Sequence, residues 1–425
     1  MTPSCSATAL TPLAQGRDFF HNVGTMRRAA FLVAFCAVFF AVSCDRGGQG
    51  FLQREDLFFL DIGPMEDQLA LFVFPDDAVL PRASIAMMDG FFYISDGSGR
   101  KITRHSSFGE LLFLVFNDEA NPQPAELRVR TEEDGQMTRW AFTFPFRSPG
   151  RIAVDSRRHI FVEEILPDER HIFDQETQAL WDSVVLHFDQ DGRFITDIGQ
   201  GGRGGLPFPR VVGVHSSLND ELVVVCRRAT GWDAFWYSAD GEQLFLVRIQ
   251  NDAVPAPPGV DDFVAFIDAV FPAPDARKLF VKVDYYRDIF EPLTGNRAGT
   301  ETLNSLVWTV CVEEGAFLGF AEVPFFEAVH VDRGVETRVN LLYSMLGVTR
   351  DGGMLFHFPV EGGYAILRMD ASGYGQRRGF IEVEPERLVF NSFHLSPDGI
   401  LSALLADEWT TSVSWWRMES FMGAQ

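Results

Sequence analysis

One repeated pattern limits what this chain can fold into: an apolar strand, a short polar turn that carries Gly, and a second apolar strand. It is clearest in residues 186–226, where Asp191-Gly192 and Asn219-Asp220 each separate two apolar runs. Such dipeptides between apolar runs favour tight hairpin turns. The pattern recurs in residues 102–116, 184–198, 235–249, 307–320, 365–381 and 413–423, with turn glycines Gly109, Gly192, Gly241, Gly315, Gly373 and Gly423. Because one such unit cannot bury its own faces, the recurrence predicts a repeat architecture.

A further hairpin precedes each of these units. These upstream hairpins cover residues 84–95, 150–163, 211–226, 269–283, 346–358 and 393–405. Two hairpins make four antiparallel strands, which is one propeller blade. The sequence therefore predicts an all-β fold, a six-bladed β-propeller with four-stranded antiparallel blades.

Three insertions lengthen these units beyond the roughly 40–50 residues of common propeller repeats. They are residues 117–143, with a possible hairpin around Asp134-Gly135, residues 164–182, and residues 285–302. Long loops in a compact fold are usually functional or disordered. They are the first places to look for a partner site.

The last unit has no room for a fourth strand. The apolar stretch 67–74 (DQLALFVF) precedes the first unit and is not part of any hairpin. We expect this N-terminal strand to complete the last blade, because such pairing closes the ring and removes an open sheet edge.

Several of these units resemble NHL repeats. The resemblance is carried by residues 150–162, by residues 186–226, and by the unit 84–115 with its segment ISDGSGRKITRHSSFGELL. In NHL repeats an inner strand, an Asp turn, an apolar strand, a second hairpin and a Gly-rich connector follow in this order. The resemblance covers residues 84–423 and implies a six-bladed propeller, but it implies no activity.

The N-terminal region has the pattern of a bacterial secretion signal. Arg27-Arg28 precede the uncharged stretch 29–42 (AAFLVAFCAVFFAV), which has the length of a signal h-region and is too short for a membrane span of about 20 residues. The segment Ala41-Val42-Ser43-Cys44 resembles a lipobox, with Ala41 where Leu is usual, as in spirochaete lipoproteins. The resemblance implies diacylation of Cys44 and a lipid-anchored protein of the bacterial envelope, facing the periplasm. An ordinary signal peptide with an incidental cysteine is the alternative.

The expected organisation follows from these boundaries. Residues 1–25 are a mis-assigned extension before a true start at Met26, and residues 26–43 are the signal peptide. Residues 44–55 are the lipidated Cys and a flexible tether, and residues 56–423 are the propeller.

The charge of the chain bears on nucleic-acid binding, and its cysteines bear on disulfide formation. The net charge of −23 argues against nucleic-acid binding, because phosphates require clustered Lys and Arg. Cys226 and Cys311 lie in apolar runs, as expected of buried thiols, and their spacing does not indicate whether they pair.

Two sets of residues are candidates for binding. The first is the loop that contains Gly199, Gly201, Arg203 and Gly205. It lacks the Gly-Lys-Ser/Thr of a phosphate loop, so a connector between blades is the preferred interpretation. The second is the aromatic set Trp232, Trp236 and Trp409. Most large aromatics of a propeller pack between blades, and those outside the core can line a ligand surface.

A metal site would require carboxylates and amides from several blades. Six-bladed lactonases hold a divalent metal at the channel mouth in this way, and Asp155, Asp268 and Asn391 are the corresponding candidates for Ca²⁺. The leading hypothesis is instead a lipid-anchored, non-catalytic scaffold without a cofactor, which binds a protein or glycan of the envelope. A metal-dependent hydrolase is the alternative, and a sensor that binds a small solute in the channel is a third hypothesis.

Overall fold

The computed structural model describes residues 50–71, 81–129, 139–175, 178–332, 335–418 and 421, and it shows an all-β, six-bladed propeller. The described chain begins with β1 (Gly50–Leu52) and β2 (Arg54–Asp61), which join the outer edges of the last two blades. The signal segment, Cys44 and the first 25 residues lie outside the described residues.

The blades follow in chain order, each beginning with its innermost strand. Blade 1 has β3 (Ala83–Met88), β4 (Phe91–Asp96), β5 (Lys101–His105), β6 (Leu111–Phe116) and an added parallel strand β7 (Trp140–Thr143). Blade 2 has β8 (Pro149–Val154), β9 (Ile160–Ile165), an inserted hairpin β10 (Ile172–Asp174) and β11 (Ala179–Trp181), then β12 (Ser183–Phe188), β13 (Phe194–Gly199) and the short β14 (Gly202–Arg203). Blade 3 has β15 (Val211–Ser216), β16 (Leu222–Arg228), β17 (Gly231–Tyr237) and β18 (Gln243–Gln250).

The second half of the ring continues in the same way. Blade 4 has β19 (Val264–Pro272), β20 (Lys278–Phe290), β21 (Arg297–Cys311) and β22 (Phe317–Glu322), and a hairpin of β23 (Phe326–Asp332) and β24 (Val335–Leu341) follows it. Blade 5 has β25 (Ser344–Val348), β26 (Met354–Val360), β27 (Gly363–Met369) and β28 (Arg377–Glu382), with β1 as a parallel fifth strand. Blade 6 has β29 (Phe390–Leu395), β30 (Ile400–Ala406) and β31 (Thr410–Arg417). Single 3-10 turns lie at Asp168–Arg170, Asn251–Ala253 and Pro385–Arg387.

The ring is closed by an N-terminal strand, as the sequence predicts, but the predicted segment is wrong. The strand is β2, which pairs antiparallel with β31 from Arg54↔Trp416 to Asp61↔Thr410. It alternates between faces, so that Phe58 and Leu60 are buried while Phe59 is exposed. Of the predicted segment 67–74, only Leu69 makes a strand-like contact, a single bridge to Ile62, and residues 72–74 lie outside the described residues.

The predicted tether, residues 44–55, overlaps with the folded body. Strand pairing already begins at Gly50, which pairs with Gly379 of β28, and β2 begins at Arg54. Residues 50–55 therefore belong to the propeller, because they complete the edges of blades 5 and 6. Only residues 45–49 remain between Cys44 and the folded body.

The core is divided among the contacts between blades. Each pair of neighbouring blades, including blades 6 and 1, encloses its own cluster of buried apolar side chains. Cys226 is buried in the cluster between blades 2 and 3, and both Cys226 and Cys311 are free thiols. Each blade is thus held in place by apolar packing against both of its neighbours.

The turns of the repeat share one hydrogen-bonding pattern. In blade 2 the Asp189 carboxylate accepts hydrogen bonds from the amides of Asp191 and Arg193, both at 2.9 Å, and Gly192 adopts φ 84°. Ser106, Ser238 and Asp370 take the place of Asp189 in blades 1, 3 and 5. The predicted turn glycines Gly109, Gly241, Gly315 and Gly373 all have positive φ, and Gly423 lies outside the described residues. A positive φ favours Gly because a Cβ is strained there.

The antiparallel order places unlike loops on the two faces of the ring. The turns within each hairpin lie at the end of the innermost strands, and we call this side the turn face. The connections between hairpins and between blades lie on the other side. We call that side the insertion face, because three inserted segments lie on it. They are hairpin β10–β11, hairpin β23–β24, and the extended ends of β20 and β21, which we call hairpin β20–β21 and which has its tip at residues 290–297. Two of the predicted insertions, 164–182 and 285–302, therefore decorate the same face, whereas Asp134-Gly135 lies outside the described residues.

Candidate functional site: the central channel

The innermost strands of all six blades enclose a channel. Its volume is about 800 Å³, and strands β3, β8, β15, β19, β25 and β29 all contribute to its wall. Cavities of roughly 300–1,000 Å³ with mixed apolar and polar walls are typical of small-ligand sites. This channel is the candidate functional site.

The middle of the channel is uncharged at neutral pH. His215 packs edge-on against Phe271 with ring centres 5.4 Å apart, and Nδ1 of His394 accepts a hydrogen bond from the Met87 amide at 3.4 Å. Burial lowers the pKa of both His215 and His394 to about 4. Both imidazoles are therefore neutral at pH 7, and the middle of the channel suits an uncharged part of a ligand.

The mouth on the insertion face is cationic. Arg82 Nη2 lies 3.1 Å from Oε1 of Glu163, and Arg151 Nη1 lies 3.3 Å from Oε2 of the same carboxylate. Arg210 also lines this mouth, is exposed, and makes no side-chain ion pair or hydrogen bond with the described part of the chain. Two of these guanidinium groups, those of Arg82 and Arg151, thus share one buried carboxylate, and that of Arg210 adds a third positive charge. We call Arg82, Arg151 and Arg210 the arginine mouth.

A side cavity opens from the arginine mouth. It has a volume of about 360 Å³ and shares Arg82, Glu163 and Arg210 with the channel. Ala179 and Leu180 of hairpin β10–β11 line it as well. The insertion in blade 2 therefore forms part of the wall of a cavity next to the channel.

The opposite mouth, on the turn face, contains charges that are paired. Arg350 lies 3.3 Å from Asp398, and Asp89 lies 3.2 Å from Arg158 of the neighbouring blade. Arg350, Asp398 and Asp89 line the channel there. The mouth on the insertion face therefore has an excess of arginines, whereas the arginines at the turn-face mouth are paired with aspartates.

The metal-site candidates do not come together. Asp155 follows the end of β8 on the turn face, whereas Asn391 is the second residue of β29 and lies toward the insertion face. The Asp155 carboxylate accepts hydrogen bonds from the amides of Arg157 and His159 and pairs with the Arg157 side chain at 2.7 Å. It is a turn residue in the position that Ser217 and Ser396 hold in blades 3 and 6.

Asp268 is also engaged in its own blade. Its Oδ2 lies 3.0 Å from Nζ of Lys282, which is 2.8 Å from both carboxylate oxygens of Asp284. In the described ranges, no group of three or more His, Cys, Asp or Glu side chains is arranged as a metal site. The expected ligand set for Ca²⁺ therefore does not fit the residues present.

The glycine-rich loop connects blades 2 and 3. Gly199 ends β13, and its carbonyl accepts a hydrogen bond from the Tyr237 hydroxyl at 2.9 Å. The Gly201 amide donates to Gln243 at 2.9 Å, and Arg203 binds the carbonyl of Asp240. The Gly205 amide donates to Gly202 at 3.1 Å. The loop is therefore a connector whose polar groups are used in docking onto blade 3.

Two of the three aromatic candidates are in the core. Trp232 and Trp236 are 7% and 1% exposed and pack between blades 3 and 4. Trp409, at 77% exposure on the insertion face, is the one that presents its ring to solvent. Every residue of β17 is buried, so Trp232 and Trp236 do not form a binding surface.

The sequence reasoning missed the arginine mouth. A pattern that could have revealed it is the placement of Arg82, Arg151 and Arg210 near the start of the innermost strands of three successive blades. Among the described residues, no helix is long and apolar enough to span a membrane.

No protein-family model matches the chain, and no curated protein matches it. Similar solved structures include a gluconolactonase from Xanthomonas campestris, with 11% identity over 87% of this chain and 97% of that one and a TM-score of 0.38. Others are the calcium-binding protein regucalcin from Agrobacterium tumefaciens (10%, 87% and 97%, TM-score 0.36) and a polysaccharide lyase, an ulvan lyase (10%, 85% and 95%, TM-score 0.37). TM-scores of this size carry no argument about activity, and the propeller assignment rests on the strand pairing described above.

Proposed function

We propose that the protein is a non-catalytic binding propeller that holds a small solute in its central channel. The observation that carries the proposal is the channel itself, with about 800 Å³ and residues from all six blades in its wall. Because every innermost strand is paired to a second strand, the wall is preformed. A preformed site binds without a large ordering cost.

The state of the ionisable groups supports binding over catalysis. Glu163 is held by two arginines, Asp398 is paired with Arg350, and burial keeps His215 and His394 neutral. A general base needs a pKa near the working pH and contact with the proton that it takes. A histidine whose pKa is about 4 is a weak base at pH 7.

The proposal also includes a location at the bacterial envelope. Acylation of Cys44 would anchor the protein to a membrane of the bacterial envelope, facing the periplasm. The five residues 45–49 would then separate the lipid from Gly50, with a reach on the order of 13 Å. The exposed tip residues Phe290 and Leu293 of hairpin β20–β21 support an additional contact with an envelope protein or glycan at the insertion face.

The test is a thermal-shift screen of small solutes with a channel-filling variant. Ser392 is half-buried and lines the channel, so Ser392→Phe should abolish stabilisation by a channel-bound solute. Ala371→Phe, at an exposed position on the turn face, is the matched control and should bind as the wild type does. Equal stabilisation of both variants would contradict the proposal, as would Ca²⁺-dependent hydrolysis of a lactone by the purified protein.

A further inference from the structure

The arginine mouth concentrates positive charge in an acidic protein. The whole chain has a net charge of −23, yet Arg82, Arg151 and Arg210 all line one opening, where Glu163 pairs with Arg82 and Arg151 but not with Arg210. Like charges repel, and the repulsion grows where water is partly excluded. An arrangement of this kind is stabilised when an anion enters it.

The positions of two of these arginines are fixed by the backbone. Oε2 of Glu163 also accepts a hydrogen bond from the Arg151 amide at 3.1 Å, which holds the carboxylate between the two side chains. A Cβ at Gly150 would clash with both Arg82 and Glu163, so the absence of a side chain there provides the space for this ion pair. The guanidinium groups are therefore preorganised before a ligand arrives, which lowers the cost of binding.

The neighbouring carboxyl groups cancel only part of the charge. Burial raises the pKa of Glu164 to about 7, so this group is only partly ionised at neutral pH. Asp182 lines the side cavity, where its Oδ1 accepts a hydrogen bond from Ser183 at 2.8 Å. The same cavity contains Arg227 and Arg228, and Arg228 is paired with Asp233 at 2.8 Å.

The cavity next to the arginine mouth has apolar as well as charged lining residues. Ala179 and Leu180 of hairpin β10–β11 line it together with Val211 and Ala229, while Arg82 and Arg210 line both this cavity and the channel. A ligand with a charged group at the boundary and a short neutral body would satisfy both surfaces. Guanidinium groups match the planar carboxylate well, because they donate parallel hydrogen bonds to its two oxygens.

We propose that the arginine mouth and the side cavity beneath hairpin β10–β11 form the recognition site for a small organic carboxylate. The inference rests on the proposed function of the channel and adds the chemical class of its ligand. Arg210 is the residue that contacts the ligand most directly, because its side chain has no partner in the described part of the chain. Arg82 and Arg151 contribute their remaining N–H groups and are held in place by Glu163.

Calorimetric titration with three probes tests the proposal. Glutarate carries two carboxylates, glutaramide is its neutral counterpart of the same shape, and sulfate is an oxyanion without an organic body. We expect saturable binding of glutarate, no binding of glutaramide, and weaker binding of sulfate. Binding should also weaken as ionic strength rises, because the site is partly exposed.

Arginine variants locate the site. Arg210→Gln should weaken glutarate binding by about tenfold or more, as expected when a charge-assisted hydrogen bond is lost. Arg193→Gln is the matched control, because Arg193 is an exposed arginine on the turn face that lines neither the channel nor the side cavity, and it should change binding by less than about twofold. Melting curves of both variants confirm that they fold, which the exposure of both side chains favours.

Four results would overturn the assignment: glutaramide binding as tightly as glutarate, sulfate binding as tightly as glutarate, equal effects of the two arginine variants, or no binding of any probe at millimolar concentration. The channel proposal fails separately. If a neutral solute binds to the wild type and not to Ser392→Phe, the channel is a binding site and only the carboxylate class is wrong.

Discussion

The indole Nε1 of Trp415 donates a hydrogen bond to Oε2 of Glu55 at 2.9 Å, which joins two residues 360 positions apart in the chain. A second bond of this kind runs from the Ser414 hydroxyl to Oδ1 of Asp56 at 2.6 Å. Both lie between β2 and β31, where the ring closes. The stability of the whole propeller therefore depends on contacts made by its first strands.

Removing one buried ring from the closing strand tests this dependence. Phe58 is 8% exposed and packs against Phe92 and His105, with ring centres 5.9 and 5.3 Å apart. Phe58→Ala should lower the free energy of unfolding by about 3 kcal/mol, because it removes a large buried side chain. Urea unfolding followed by tryptophan fluorescence measures the change.

Phe59 provides the matched control on the same strand. It is 63% exposed, so Phe59→Ala should change the unfolding free energy by less than about 0.5 kcal/mol. Equal effects of Phe58→Ala and Phe59→Ala would show that β2 does not close the ring as described.

Trp236 should matter for stability and not for surface recognition. Its Nε1 donates a 2.6 Å hydrogen bond to the Glu221 carboxylate, which Arg277 also holds at 2.6 Å. Trp236→Phe should cost about 2 kcal/mol of unfolding free energy, because it removes a donor from a charged buried acceptor. Trp409→Phe should be nearly neutral at 77% exposure, and a larger effect at Trp409 than at Trp236 in chemical denaturation would contradict this assignment.

The buried histidines predict a loss of stability in mild acid. Burial lowers the pKa of His105 to about 4 from its usual 6.5. Between these two values the unfolded chain binds a proton that the folded chain does not, so the unfolding free energy falls as the pH falls from about 6.5 to about 4. His105→Gln should reduce this dependence by up to about 1.4 kcal/mol per pH unit within the window.

Glu164 contributes to the pH dependence of the unfolding free energy with the opposite sign. Burial raises its pKa to about 7 from 4.5, so between these values the folded state holds a proton that the unfolded state lacks. Its contribution to stability falls as the pH rises, and Glu164→Gln should therefore make the overall gain of stability between pH 4.5 and 7 steeper. Denaturant titrations at several pH values measure both variants, and the same slope for wild type, His105→Gln and Glu164→Gln would contradict the two pKa assignments.

The anchor at Cys44 remains a prediction that one variant can check. Acylation should place the wild-type protein in the detergent phase of a temperature-induced phase separation, because each buried methylene of an acyl chain adds about 0.8 kcal/mol of membrane affinity. Cys44→Ala should move to the aqueous phase and lose incorporation of a labelled fatty acid. Equal partitioning of both forms and no label in the wild type would exclude the anchor.

The sequence was informative wherever local chemistry decides the structure. Turns such as Asp189 to Gly192 carry their own hydrogen bonds, so the hairpins and the number of blades could be predicted from residue order alone. The closing strand could not be chosen in this way, because 54–61 and 67–74 both contain a short apolar run (57–60 and 69–74) and only pairing with β31 distinguishes them. The arginine mouth was missed for a similar reason: Arg82, Arg151 and Arg210 are 59 or more residues apart in the chain and meet only because three innermost strands start side by side.

Ring closure has a consequence for how the chain is synthesised. Strand β2 leaves the ribosome early, while its partner β31 is about 358 residues later in the chain. At roughly 5–20 residues per second, β2 waits on the order of 20 to 70 s before its partner exists. During that time its backbone edge has no partner strand, and the cluster around Phe58 and Leu60 lacks its blade-6 side, which Leu404, Ala406 and Val413 form. A chain that stops short of blade 6 keeps this edge unpaired and this cluster incomplete, so unfinished copies differ from complete ones in a way that chaperones and proteases can recognise.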